Sequence, residues 1–248
     1  MKTLLLNDTT DYHYGCKQVV STFTFDDSIK TNNYASVDTI NYSKYDRVIL
    51  NGEGTMHHSS NIGYIFLNGL LKAQRAGCQT ELLNTVWQQM PKHDALQGCN
   101  RIVVREIYSH NELKEMHGIE SEIRPDRSMI PNVPYKFYSP VEIYRGQYFN
   151  RERRNDYPEI NIFKQDWDEV VNRLRHSELL LTGRHHEMYA AIKARCKFIV
   201  CKGNSWKNEG LLEQFGLTTD MNIEDVMSNK YKINFEELFD YCHEEKSL

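Results

Sequence analysis

Several things are missing from this sequence, and each absence narrows the reading. No window approaches the ~18 consecutive apolar residues that a bilayer-spanning helix requires. The first fifteen residues, MKTLLLNDTTDYHYG, hold an apolar run too short for a secretory leader, and no small-residue cleavage site follows. A cytoplasmic location is the expectation. The six cysteines (Cys16, Cys78, Cys99, Cys196, Cys201, Cys242) show no CxxC spacing. That pattern predicts reduced, mostly buried thiols, with neither a disulfide frame nor a metal site. Positive charge is not in excess: the formal net charge is -4, so no global basic field announces a nucleic-acid binder. A local basic groove stays open, because Arg151, Arg153 and Arg154 cluster. There is no GxGxxG dinucleotide fingerprint, no internal repeat and no low-complexity tract.

What is present reads as an α/β protein. The 248 residues suffice for one large domain or two small ones with real cores, and 26% charged residues suit a soluble chain. Residues 178–201, ELLLTGRHHEMYAAIKARCKFIVC, organise the rest as strand, turn, helix, strand. Glu178 to Thr182 is a short apolar run closed by Gly183. The helix then places Met188, Ala191, Ile192 and Cys196 on one face, and Lys197 to Cys201 is a second buried strand. Open parallel sheets bind ligands at the carboxyl ends of their strands. Arg184, His185 and His186 occupy that position here, at a helix start that itself favours an anion. The alternative is local: Arg184 pairs with a nearby acid, and the histidines cap the helix.

Earlier in the chain, Lys2 to Leu6 forms a first strand, followed by a polar turn with Asp8, Asp11 and His13, and a helix from Gly15. The turn either presents N–H groups and His13 to a ligand or is only a connection. Residues 26–45 suggest one short strand and a helix. Tyr45 to Leu50 is a second core strand, and Gly52-Glu53-Gly54 after it lets backbone approach a bound group. A helix over 61–76 turns Ile65, Leu67, Leu70 and Leu71 inward and stops at Gly77. Strands follow at 80–85 and 99–105. The pattern Ser109-x-x-Glu112 marks a helix N-terminus, and that helix ends at Gly118. Residues 127–160 carry Pro131, Pro134, Pro140 and Pro158 with Tyr135, Tyr138, Tyr144, Tyr148 and Tyr157. They read as an interdomain segment with a short strand at 142–149, or as a surface that stacks on bases or sugars. Helices are expected at 166–176, 210–215, 222–229 and 234–245. The expected organisation is an N-terminal Rossmann-like domain over 1–130, a hinge over 131–160 and a reduced C-terminal Rossmann-like domain over 161–248.

Taken in order, these motifs resemble the polysaccharide pyruvyl transferase family. The residues that carry the resemblance are NDTTDYHYG (7–15), VILNGEG (48–54), VVREIYSHNEL (103–113), RPD (124–126), LLTGRHHEMYAAI (180–192) and KNEGLLEQFGL (207–217). The resemblance implies a GT-B-like fold, two Rossmann-like halves with parallel sheets facing a central cleft. It implies phosphoenolpyruvate as donor, held by Arg105 and Arg184 with His186 as proton carrier. The chain departs from the family pattern in two places. Its loop is NGEG rather than all glycine, which puts a carboxylate at Glu53. Its turn is RHHE rather than R-L-H-A, so that two more histidines and an acid are expected to line the cleft than pyruvyl transfer needs.

The residue types fit transfer of a group from an activated anionic donor to a sugar hydroxyl. In the pyruvyl reading the acceptor is a glycan. In the second reading the donor is a nucleotide-sugar, and the acceptor is a glycan or a hydroxyl-bearing base in DNA. A binding module without activity is a third. Across these readings His186, Glu53 and His185 are the candidate catalytic groups. Arg105, Arg184, Gly52, Gly54, Glu209 and Lys207 are the candidate donor contacts. Asp8, His13, Asp11, Arg151, Arg153 and Arg154 are the candidate acceptor contacts. No permanently bound cofactor and no metal is expected, and the partner is a carbohydrate or a nucleic acid.

Overall fold

The computed structural model describes residues 1–149 and 156–244; Arg151, Arg153 and Arg154 lie outside them. The chain divides into two compact units. One comprises Met1–Asp11 and Phe23–Arg124, and the other Tyr12–Thr22 and Pro125–Leu248. Helix α1 (Tyr14–Val20) therefore follows the first strand in sequence but belongs to the second unit. The stretch 131–160, read above as a hinge, also lies within the second unit.

The first unit is a parallel sheet. Its strands are β1 (Thr3–Asp8), β2 (Asp27–Lys30), β3 (Arg47–Asn51), β4 (Gln79–Thr85), β5 (Arg101–Val104) and β6 (Glu122–Ile123), in the order β2-β1-β3-β4-β5-β6. Leu4 pairs with Val48 and Leu6 with Leu50, so β1 and β3 run level to their carboxyl ends. Strands buried on both faces have no need to alternate polar and apolar residues, which is why β1 and β3 read as continuous apolar runs. Helix α2 (Asn61–Arg75) buries Phe66, Leu67, Leu70 and Ala73, with Ile65 and Leu71 at the margin of the same core. Two expectations change here. Residues 31–39 form a 3-10 segment rather than an α-helix, because only Val37 among them is buried and no apolar face repeats at helical spacing. Helix α3 (Ile107–His117) starts ahead of Ser109: the Glu106 side chain is the cap and takes the amides of Tyr108 and Ser109. Gly118, at φ 68°, ends it as expected.

The second unit has a three-stranded parallel sheet of β7 (Val141–Arg145), β8 (Ser177–Thr182) and β9 (Lys197–Val200), in that order. The strand expected over 142–149 stops at Arg145, where the chain turns at Gly146. The helices are α4 (Trp167–Leu174), α5 (His185–Ala194), α6 (Lys207–Glu213), α7 (Ile223–Met227) and α8 (Lys232–Glu244). Helix α6 begins three residues before the expected Gly210. Helix α5 is buried nearly all round, from His185 to Lys193, which is why its sequence shows only a weak polar face. It packs against α1, α4 and α8, with Val19, Val170, Val171, Ile192, Leu238 and Phe239 in the interior. No helix among the described residues is long and apolar enough to cross a membrane.

Candidate functional site

In the first unit, polar residues gather at the carboxyl ends of β1 and β3. Asn7, in a left-handed conformation at φ 62°, donates to the carbonyls of Asn51 (2.6 Å) and Glu53 (3.1 Å) and accepts from Thr31 Oγ1 at 2.7 Å. Thr9 Oγ1 donates to Glu53 Oε2 at 2.7 Å, so Glu53 lies in a network and is buried. The lack of a side chain at Gly52 serves packing: a methyl group there would strike Thr85. Gly54, at φ 72°, shapes the turn. Asp8 is engaged locally, accepting from Thr10 and from Ser28 Oγ at 2.8 Å. Burial pushes its carboxyl up, but those hydrogen bonds and Lys30 outweigh it and hold it below its ordinary value. Asp11 is exposed and pairs with Lys30. Arg105 is buried, its amide bonded to Thr85 O at 3.0 Å, beside Glu106.

The second unit collects His13, Arg184, His185, His186, Lys207 and Glu209. No side chain caps the start of α5, and a helix start of this kind favours an anion. The Arg184 guanidinium lies over Tyr148 at 4.2 Å and over Phe163 at 4.7 Å. The two rings hold the guanidinium in place, and its N–H groups suit an anion. His185 Nδ1 lies 3.1 Å from Asn208 Oδ1, and Asn208 Nδ2 donates to Cys201 O at 3.1 Å. The starts of α5 and α6 therefore sit side by side. Among the described residues, Arg184 Nε, Ser205 Oγ and Glu209 Oε2 are buried atoms with no hydrogen-bond partner. Burial raises the Glu209 carboxyl above its ordinary range. Lys207 Nζ reaches Asn204 Oδ1 at 2.9 Å.

Three participants were not picked out in the sequence as site residues. Asp126 is fully buried, with Oδ2 3.7 Å from His185 Nε2 and Oδ1 3.8 Å from His186 Nε2. The RPD motif marked its position but not its partners. Asn208 is the second, and Phe163, clamping Arg184, is the third; nothing in the local pattern of either residue signals the role. Glu187, read as an added acid lining the site, instead turns inward. It accepts from Thr182 Oγ1 at 2.5 Å and from the amides of Gln147 (3.0 Å) and Ile162 (3.4 Å), tying two loops to α5.

His13, Cys16 and His186 bring ligand atoms within 4.8 Å of one another. His13 Nδ1, however, accepts the Cys16 amide at 3.2 Å as the cap of α1. A neutral ring capping in this way carries its proton on Nε2, the nitrogen 3.5 Å from the sulfur. A metal on Nε2 would have to break the cap, so the trio reads as hydrogen-bonded rather than ligating.

No protein-family model and no curated protein sequence matches the chain. Solved structures do. An uncharacterised protein of Klebsiella pneumoniae superposes with a TM-score of 0.59 at 13% identity, over 86% of this chain and 88% of that one. A candidate UDP-N-acetylglucosamine 2-epimerase from Listeria monocytogenes gives 0.58 at 10%, over 97% and 91%. S. aureus MnaA, solved with UDP, gives 0.54 at 11%, over 99% and 91%. The chain thus has an α/β fold of the GT-B type, built on parallel sheets.

Proposed function

We propose that the protein is a nucleotide-sugar enzyme whose donor is a nucleoside diphosphate sugar. The observation that carries this reading is that Arg184 Nε after β8, and Ser205 Oγ and Glu209 Oε2 after β9, are buried atoms without a hydrogen-bond partner, with the starts of α5 and α6 joined by His185 and Asn208. Arg184 and the uncapped start of α5 suit a diphosphate. Ser205 and Glu209 suit the hydroxyls of a ribose, because a buried carboxylate and a buried hydroxyl each gain a partner there. His186, beside the buried Asp126, is the group placed to carry a proton. The epimerase-like neighbour and the UDP complex among the solved structures support a uridine nucleotide.

Pyruvyl transfer, which the motif resemblance implies, would also use Arg184 and the helix start. Phosphoenolpyruvate has no hydroxyl pair, however, and leaves Ser205 and Glu209 without a role, so the nucleotide reading stands first.

Thermal unfolding with UDP, UDP-N-acetylglucosamine and phosphoenolpyruvate tests the choice. Ligand at ~100 times its dissociation constant adds about 2.7 kcal/mol. UDP should raise the midpoint, and Arg184→Ala should abolish the rise. Glu209→Ala should weaken UDP binding at least tenfold. A rise with phosphoenolpyruvate alone would return the protein to pyruvyl chemistry, and no rise with any of the three would remove the donor assignment.

A further inference from the structure

Three aromatic rings of the second unit stand in solvent close to His186. Tyr12 and Tyr148 are each 62% exposed and Phe163 is 37% exposed, although rings of this size gain most from burial. They are linked in a continuous path. Arg184 lies over both Tyr148 and Phe163. Phe163 meets Tyr12 at 5.7 Å and 77°, and meets His13 at 5.1 Å and 71°. His13 in turn meets His186 at 4.9 Å and 72°. The path is anchored by its backbone: the Tyr14 amide donates to Ile162 O at 3.3 Å, and the Phe163 amide to Asn161 Oδ1 at 3.0 Å.

We infer that the corner between Tyr12 and Phe163 is an acceptor subsite that takes a pyranose ring, which makes the enzyme a glycosyltransferase rather than an epimerase. The inference rests on the nucleotide-sugar reading and deepens it. Epimerisation inverts a centre within one nucleotide sugar and has no use for a second ring. Transfer requires one. A pyranose has a face of C–H bonds that covers an aromatic ring and a rim of hydroxyls that needs donors and acceptors. Tyr12 and Phe163, nearly perpendicular, offer the first, while the Tyr12 hydroxyl and Arg184 offer the second. A planar base would gain more from a slot between two ring faces, whereas Tyr12 and Phe163 meet edge to face. From this corner the path of rings leads through His13 to His186. In the transfer, the acceptor hydroxyl oxygen bonds to the anomeric carbon. The bond from that carbon to the phosphate oxygen breaks, the nucleoside diphosphate leaves with the electron pair, and His186 takes the hydroxyl proton.

Saturation-transfer NMR on the full chain with UDP present tests the subsite. The probes are methyl pyranosides of glucose, galactose, mannose, N-acetylglucosamine, rhamnose and fucose, with an eight-residue oligothymidylate as the competing class. At least one pyranoside should receive saturation on one C–H face, and Tyr12→Ala should cut that signal at least fivefold with UDP affinity unchanged. Tyr12 is exposed, so this variant folds; Phe163→Leu supplies a second reading that keeps the apolar volume. If no pyranoside is saturated, or the signal survives Tyr12→Ala, the subsite is refuted. If oligothymidylate alone responds, it is refuted in favour of a nucleic-acid acceptor. Failure of UDP to bind while the pyranoside signal still depends on Tyr12 would overturn the donor reading and leave the subsite standing.

Discussion

Glu106 and Glu187 each lie at the start of a helix, where the positive end of the helix dipole favours an ionised carboxyl. Burial wins at both, and each is pushed up to about 7. Against that burial, Ser109 and Arg105 pull Glu106 down, while Thr182, the amides of Gln147 and Ile162, and Arg184 pull Glu187 down. A folded-state value above the ordinary 4.5 means that the native state holds these protons more tightly than the unfolded chain does. The stability this contributes is fully present below pH 4.5 and is lost as pH rises through about 7. The loss is ~3 kcal/mol per group at most. Asp8 is shifted the other way, so its contribution falls away only at pH values below this window. Burial lowers His93 and His117, which act in the opposite sense in this window, so the test is a difference. In urea unfolding between pH 4.5 and 7.5, wild-type stability should fall relative to that of Glu187→Gln as pH rises. Equal slopes in the two proteins would show that Glu187 ionises normally in the fold.

At the scale of elements, α1 and α5 meet through a glycine. A methyl group at Gly15 would lie 2.6 Å from Cγ of His186, closer than carbon atoms pack. Helix propensity alone would make Gly15→Ala stabilising by about 1 kcal/mol. Overpacking of a buried contact costs about 1–3 kcal/mol. The two effects oppose each other in sign, so the urea midpoint decides between them: it should fall, and a rise would show that the His186 ring can move aside. The same contrast explains what the sequence could reveal. Parallel strands were legible because they are buried on both faces and spell apolar runs, from Leu4–Leu6 to Phe198–Val200. Helix ends that stop on a left-handed glycine, such as Gly118, were legible from one residue. The start of α3 was not, because Glu106 caps it as well as a serine would, and Ser109 three residues later mimics the start of a capping box. Of the candidate site, the Arg184–His185–His186 turn stood out because strand, glycine and helix are contiguous there. Asp126, Asn208 and Phe163 are brought to it by packing across long sequence separations, which no local pattern encodes.

At the scale of the whole molecule, the chain is divided without regard to sequence order. Tyr12–Thr22 interrupts the first unit and belongs to the second. Its helix α1 buries Cys16, Val19 and Val20 and packs against α4, α5 and the turn after Asp126. Arg127 fastens that turn to Thr22, donating from Nε to Oγ1 at 2.7 Å and from NH2 to the carbonyl at 2.9 Å. A fragment of residues 125–248 therefore has every strand of the second sheet but lacks one wall of its core. Burying a valine side chain is worth about 1.5–3 kcal/mol, and a domain's net stability is only about 5–15 kcal/mol. The loss of α1 thus takes a large share of what holds this unit together. Fragment 125–248 should unfold at lower urea, over a broad transition, while the same fragment with residues 12–22 joined to its N-terminus by a glycine–serine linker should unfold sharply at higher urea. If the two fragments have the same midpoint, α1 is an ornament on a self-sufficient fold. If the joined fragment alone unfolds cooperatively, the second unit needs a segment that the sequence places inside the first.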